Sequence, residues 1–245
     1  MVLSAAGPLG AGVLDLGRNS LLKPVADDLS LASALLVWFL VVAWLWRKGW
    51  RVQRRYFIEA TLTPYKRNGI VWTSAIIGII TIVASHLRPS APAIVAVAMI
   101  GALSALTDAR THRLPNAYTA AMGLGVAFGA GCAVAASDEP WRVLAAIGAG
   151  LLIWLVPLWL LSRLPGGVGF GDVKIAPVLG AMLGSESVEA AIGGLVISFL
   201  AAGLAAVWRI VVGSAGTQAR MPLGPWLILG AAVSHVVWGV VPDWF

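Results

Sequence analysis

From Leu29 to Val240 the chain is a series of apolar runs separated by short polar turns. No other feature limits the fold as much. The hydrocarbon core of a bilayer is roughly 30 Å thick and offers backbone groups no partner, so a run of about 20 apolar residues reads as a spanning helix. The runs cover about 29–46, 70–87, 91–106, 117–136, 143–161, 173–183, 188–211 and 222–240. They predict an all-α fold: a polytopic membrane helical bundle of about eight spans, with a short sixth helix following a glycine-rich turn. Of the 245 residues, 59% are hydrophobic and only 11% charged, which excludes a soluble globular chain of this length. Residues 1–28 read as an extracytoplasmic lead-in, 29–69 as a first span with a basic cytoplasmic loop, 70–240 as a membrane-embedded core and 241–245 as an extracytoplasmic tail. The first twenty residues lack a basic stretch followed by a clear apolar one, so no cleavable signal peptide is expected.

The charges orient the bundle. Eight alternating spans put 47–67, 107–116, 162–174 and 208–221 on one side, with thirteen of the 17 Lys and Arg and three of the 11 acids. Positive loops stay in the cytoplasm, so both chain ends are expected outside an inner (plasma) membrane. The net charge of +6 is thereby read as a topology signal and as contact with anionic membrane lipid, not as a nucleic-acid site. The single cysteine, Cys132, can form neither an intrachain disulfide nor a CxxC zinc site, and is read as a packing residue.

One turn stands out: Gly166-Gly167-Val168-Gly169-Phe170-Gly171-Asp172-Val173-Lys174. Glycines let the backbone take positive φ and approach another chain closely. An Asp at the centre of a spanning helix costs about 2.5–3.5 kcal/mol, and an acid at membrane depth marks a functional site by default. The apolar segment after it, Val173 to Leu183, has eleven residues and reaches only about 16 Å as helix. Asp172 is therefore expected in a water-accessible pocket walled by other helices. Gly125 with Gly129 and Gly180 with Gly184 have the four-residue spacing of close helix packing. Trp46, Trp50, Trp72, Trp141 and Trp244 fall near run ends, as interfacial anchors do.

Only three acids lie on the basic side: Glu59, Asp108 and Asp172. Glu59 reads as a solvated partner of the nearby arginines. Asp108 ends the third run and Asp172 begins the sixth, at one predicted level. Two carboxylates sharing a site hold one proton between them. One can then act as base towards a water while the other, protonated, polarises a carbonyl. Structural readings compete: Asp108 as a helix-end acid paired with Arg110 or Arg113, and Asp172 as the N-cap of the sixth helix. His112 reads as a solvated loop residue, and His86 and His235 fall on the far side. No His, Cys or acid cluster has metal-ligand spacing, no Ser–His–Asp set shares a face, and the glycine turn lacks the GK[ST] ending of a P-loop.

At these residues the sequence resembles the type IV prepilin leader peptidases, GxGD-type membrane aspartyl proteases. Asp108-Ala109-Arg110-Thr111-His112-Arg113-Leu114-Pro115-Asn116 looks like their first active-site segment. Gly169-Phe170-Gly171-Asp172-Val173-Lys174 looks like the second, and Met221-Pro222-Leu223-Gly224-Pro225 is similar to the Pro-rich opening of their last span. The resemblance runs from about Ile94 to Gly239. It implies that 70–240 is a peptidase core cutting a short basic leader from pilin-like precursors at the cytoplasmic face. Asp108 and Asp172 match the catalytic pair, and Gly169 and Gly171 match the turn carrying the second acid. Lys174, Arg110 and Asn116 match supporting positions. No cofactor or metal is implied for peptidase action; S-adenosylmethionine is needed only if an N-methyltransferase activity is retained. Many full-length members carry paired cysteines in the loop after the first span; Arg47 to Gly69 has none. A proton-coupled transporter or channel, relaying protons through the two acids, is the alternative from another class. A non-catalytic assembly platform for a pilus or secretion machine is a third. Sequence leaves oligomeric state and choice of precursor open.

Overall fold

The computed structural model describes residues 28–85, 88–165, 167–212 and 222–240. The readings of the lead-in before Asp28, of the tail 241–245 and of both chain ends, and those of His86, Gly166, Met221 and Trp244, lie outside the described residues. The described chain is all-α: α1 (28–59), α2 (Arg67–Ala84), α3 (Ala91–Thr111), α4 (Asn116–Ala135), α5 (Pro140–Ser162), α6 (Phe170–Gly184), α7 (Val188–Val211) and α8 (Gly224–Val240). Among them, 6 are long and apolar enough to cross a membrane. The eight expected runs thus return as eight helices, two of them short. Helix α6 has 15 residues, about 22 Å, and remains shorter than the hydrocarbon core.

The basic stretch after the first run is not a loop through most of its length. Helix α1 continues to Glu59, 32 residues in all and about 48 Å long, so its basic end must project beyond a hydrocarbon core of roughly 30 Å. Arg, Lys and Gln are good helix formers, and no proline intervenes before Pro64. The extension is amphipathic and buries Gln53 and Phe57. At Leu45–Gly49 the helix widens into a π turn, and the Trp50 N–H donates to the Leu45 carbonyl. The Gly49 carbonyl accepts from the buried Tyr118 hydroxyl at 3.2 Å, tying the π turn to α4.

Two helices form the interior. Of the α3 apolar window 78% is buried, against 17–33% for the other five long helices. Helix α6 buries Ile175, Ala176, Leu179, Met182 and Leu183 completely. Helix α3 packs against α1, α2, α4 and α8, and α6 packs against α4, α5, α7 and α8. Glycines set the closest approaches. A Cβ on Gly125 would stand 2.2 Å from that of Ala96, and one on Gly129 would stand 2.4 Å from the Ala93 nitrogen, so α4 seats on α3. A Cβ on Gly180 would stand 2.3 Å from the Gly150 oxygen, and one on Gly184 would stand 2.5 Å from the Ala146 oxygen, so α6 seats on α5. Both four-residue glycine pairs therefore serve close helix packing. Buried side chains also cross between helices: Trp154 Nε1 donates to the Ala191 oxygen at 2.8 Å, and Ser74 Oγ to the Met99 oxygen at 3.0 Å.

Opposite the basic end is a half-buried ionic cluster. Arg88 and Ser90, before α3, both donate to the Glu186 carboxylate, just after α6. Arg88 also donates to the His235 carbonyl on α8 at 2.9 Å, and His235 Nδ1 lies 3.5 Å from Glu186 Oε1.

Gly180→Val would drive a side chain into the Gly150 carbonyl at the α5–α6 seat. It is expected to lower stability by at least about 1–3 kcal/mol, read by denaturant unfolding of the purified chain in detergent. Gly148→Val, where an added Cβ meets nothing within 4 Å, is expected to change little.

Candidate active site

Asp108 lies in the last turn of α3, inside the helix and not in a loop after it. The hydroxyls of the polar residues around it are satisfied within the helix. Thr107 Oγ1 donates to the Leu103 oxygen and Thr111 Oγ1 to the Thr107 oxygen, each at 2.7 Å. His112 ends the helix in the left-handed region, φ 51° and ψ 35°, and its N–H closes on the Asp108 carbonyl at 2.8 Å.

Asp172 is the third residue of α6. The N-cap is Gly169, with φ −66° and ψ 146°, so Asp172 does not occupy the capping position. Its carboxyl instead reaches back to the Gly169 backbone N–H, as the third residue of a capping box does. Among the described glycines of the turn, Gly167, Gly169 and Gly171 all have ordinary φ angles. The steric demand falls on Gly167, where a Cβ would stand 1.9 Å from the Leu161 oxygen. Gly171 matters for space: a Cβ there would crowd the Leu114 Cβ at 3.2 Å.

Both carboxyls open onto one cavity of about 540 Å³, within the range of small-molecule and peptide sites. Asp108 is 6% exposed and Asp172 is 8% exposed, and the Asp108 charge acts on Asp172. Asp108 Oδ2 and Asp172 Oδ1 are each buried without a hydrogen-bond partner. The Gly224 amide faces the Asp108 carboxyl without closing a bond to Oδ2, and a Cβ on Gly224 would stand 2.8 Å from that oxygen. A buried carboxylate oxygen left unpaired is costly and marks where a water or a substrate group belongs.

The remaining candidates divide. Lys174 Nζ donates to Asn116 Oδ1 at 3.0 Å and lies 5.1 Å from the Phe170 ring, so these two supporting positions join the two segments at the cavity edge. Arg110 is exposed and does not line the cavity. Arg113 pairs with Glu59 at 3.2 Å and Arg55 pairs with it at 2.9 Å; among the described residues neither Arg110 nor Arg113 forms an ion pair with Asp108. Glu59 is the arginine partner expected, and it is also part of the cavity wall. Arg55 and Tyr56 line the wall with it, and sequence reasoning missed both. Their signal was the amphipathic period of 50–59, legible once that stretch is read as helix. His112 lines the cavity too, and when protonated its charge acts on Asp108. Among the described residues, no group of three or more His, Cys, Asp or Glu could hold a metal.

The fold and this site define a polytopic helical membrane protein with two aspartates converging at one end of its two central helices. Residues 93–210, which hold both aspartates, match the model of the type IV leader peptidase family. Over 154 residues the chain is 33% identical to the prepilin leader peptidase/N-methyltransferases of Burkholderia pseudomallei strains 1026b and K96243. That match takes in 60% of this chain and 47% of each relative, so the chain spans about half the length of the curated relatives it matches. No solved structure matches it significantly. The matched stretch, just under half of the chain, is similar to the type IV leader peptidase family.

A histidine at φ 51° is strained where a glycine is not. His112→Gly is expected to raise stability by about 0.5–1 kcal/mol, while His112→Ala keeps the strain and gains nothing. Thermal unfolding of the three forms in the same detergent measures the difference.

Proposed function

We propose that this chain is a membrane-embedded aspartyl endopeptidase that removes the leader from type IV prepilin-like precursors. The observation that carries the reading is the pair of buried carboxyls on one cavity, each with an oxygen lacking a partner. The activity for which the Burkholderia relatives are named points the same way, and the substrate class rests on that likeness. The unit responsible is 70–240, with 29–69 contributing the first span and the basic extension.

In this reading Asp108 and Asp172 hold one proton between them. The ionised carboxylate takes a proton from a water lodged between the unpaired oxygens. The water oxygen attacks the scissile carbonyl carbon, while the protonated partner donates to the carbonyl oxygen. Collapse of the tetrahedral species breaks the C–N bond, and the leaving amine takes a proton from the acid. Gly169 holds Asp172 through its N–H, and the Lys174–Asn116 bond keeps the two segments in register. Peptide hydrolysis by two carboxyls needs no cofactor; S-adenosylmethionine would enter only with methyl transfer.

Asp108→Asn and Asp172→Asn test the pair. Each removes a group worth about 10²–10⁴ in rate while keeping its shape. Each variant is expected to leave a co-expressed tagged precursor uncut, by mass, with the enzyme still present in the membrane. Cleavage at the wild-type rate by either variant would sink the dyad, and would be the expected result for an assembly platform.

The site is proposed to face the cytoplasm, on the strength of the thirteen basic residues gathered on its side. A cysteine replacing the exposed Arg110, in a Cys132→Ser background, should react with a membrane-impermeant maleimide in inside-out vesicles and not in intact spheroplasts. The opposite pattern reverses the orientation.

A further inference from the structure

A second hollow, of about 500 Å³, opens where α1 leaves its apolar run and α2 begins. It is lined by Trp50, Arg54, Tyr65, Lys66, Arg67 and Asn68, and no acid faces it. Among the described residues, no carboxylate pairs with Arg54, Lys66 or Arg67; the ion pairs of this region are those of Arg55 and Arg113 with Glu59, on the wall of the other cavity. Two of the three cations lie over aromatic rings. The Arg54 guanidinium stacks 5.8 Å from the Trp50 ring, and that of Arg67 lies 4.2 Å from the Trp46 ring.

The same hollow receives the start of α2. Lys66 is its N-cap and Arg67 its first residue, no side chain caps it, and its first turn carries no acid. The positive end of a helix dipole favours anions. Two cations stand here where acids are preferred, and among the described residues no carboxylate pairs with them. A bound anion would relieve this repulsion and accept hydrogen bonds from the free N–H groups.

Position selects the kind of anion. Residues 46–50 and 64–70 lie at the boundary between the apolar runs and the basic extension, where phospholipid headgroups sit. From Asn68, on the rim, an exposed stripe runs down α2 at four-residue spacing through Trp72, Ile76 and Ile80, which are 63%, 58% and 61% exposed. That stripe is an apolar track for acyl chains beginning at the hollow. We propose that this hollow binds the phosphate headgroup of an anionic phospholipid, whose acyl chains lie along the exposed face of α2.

The test uses the purified full chain in detergent, titrated with phosphatidylglycerol, phosphatidylcholine or inorganic phosphate and read by native mass spectrometry. Wild type is expected to take up one phosphatidylglycerol at least tenfold more tightly than phosphatidylcholine. Arg54→Gln/Lys66→Gln removes two cations from the hollow and should weaken that binding about tenfold or more. Both side chains are exposed, so the packed core stays intact, and an unchanged thermal midpoint without lipid checks this. Arg47→Gln/Lys48→Gln removes the same charge from the same segment outside the hollow and should leave binding within about twofold. Equal loss in both double variants would mean diffuse attraction and overturn the site. So would equal affinity for the two lipids. Inorganic phosphate binding as tightly as the lipid would replace the lipid with a soluble anion.

Discussion

Hydrocarbon gives a polar group nothing to bond to, and that constraint governs where most of this bundle's buried polar groups sit. Buried hydroxyls are spent on carbonyls: Ser74 on Met99, Ser198 on Gly194, Ser234 on Ala190. The two aspartates cannot be satisfied in this way. They sit where helices end, Asp108 in the last turn of α3 and Asp172 in the first turn of α6. Only there can a carboxyl be shielded from lipid by neighbouring helices and still open onto an aqueous cavity. The shortness of α6 belongs to the same solution. At 15 residues it starts below the level reached by the projecting end of α1, and the space above it is the cavity. Acids at one end of two helices also fit hydrolysis better than proton relay, which places them along a path across the membrane.

Holding two carboxyls at a working separation requires the helices that carry them to be stiff relative to each other. Here the stiffness comes from the absence of side chains. Gly125 and Gly129 seat α4 on α3, and Gly150, Gly180 and Gly184 seat α5 on α6 with backbone against backbone. Leu114 then bridges the two units, filling the space that Gly171 leaves on α6 and Gly224 leaves at the start of α8. Any bulk at those two glycines would move a carboxyl by way of Leu114, or by direct collision with Asp108 Oδ2.

The middles of the helices were legible in the sequence and the ends that build the site were less so. The run 188–211 coincides with α7, because Ser187 caps it on the Ala190 N–H and the apolar pattern stops with the helix. The convergence of Asp108 and Asp172 on one level followed from counting spans. What hydropathy missed was helix made of polar residues. The third run stops at Leu106 by composition, yet α3 continues to Thr111, with its threonine hydroxyls satisfied by carbonyls of their own helix. Residues 47–59 read as loop by charge, yet they form the α1 extension whose outer turns supply Arg55, Tyr56 and Glu59 to the cavity wall. The glycine turn was legible as a turn, but the residue under steric demand is Gly167, set by the Leu161 carbonyl, a neighbour that spacing does not reveal.

The ionic cluster at the opposite end completes the account of how the site keeps its shape. Arg88 and Ser90 precede α3, Glu186 follows α6, and His235 lies on α8. These are the three helices that deliver Asp108, Asp172 and Gly224 to the cavity. Each is thus tied at both ends, by the half-buried cluster at one and by the cavity at the other. A partly solvated ion pair contributes little net stability. Its value here lies in register. Glu186 accepts from the turn before α3 and faces His235, so sliding or rotation of α6 against α3 and α8 breaks these contacts. Glycine contacts alone would permit sliding along a smooth backbone groove. The far cluster supplies an axial stop at the end of the bundle opposite the two carboxyls.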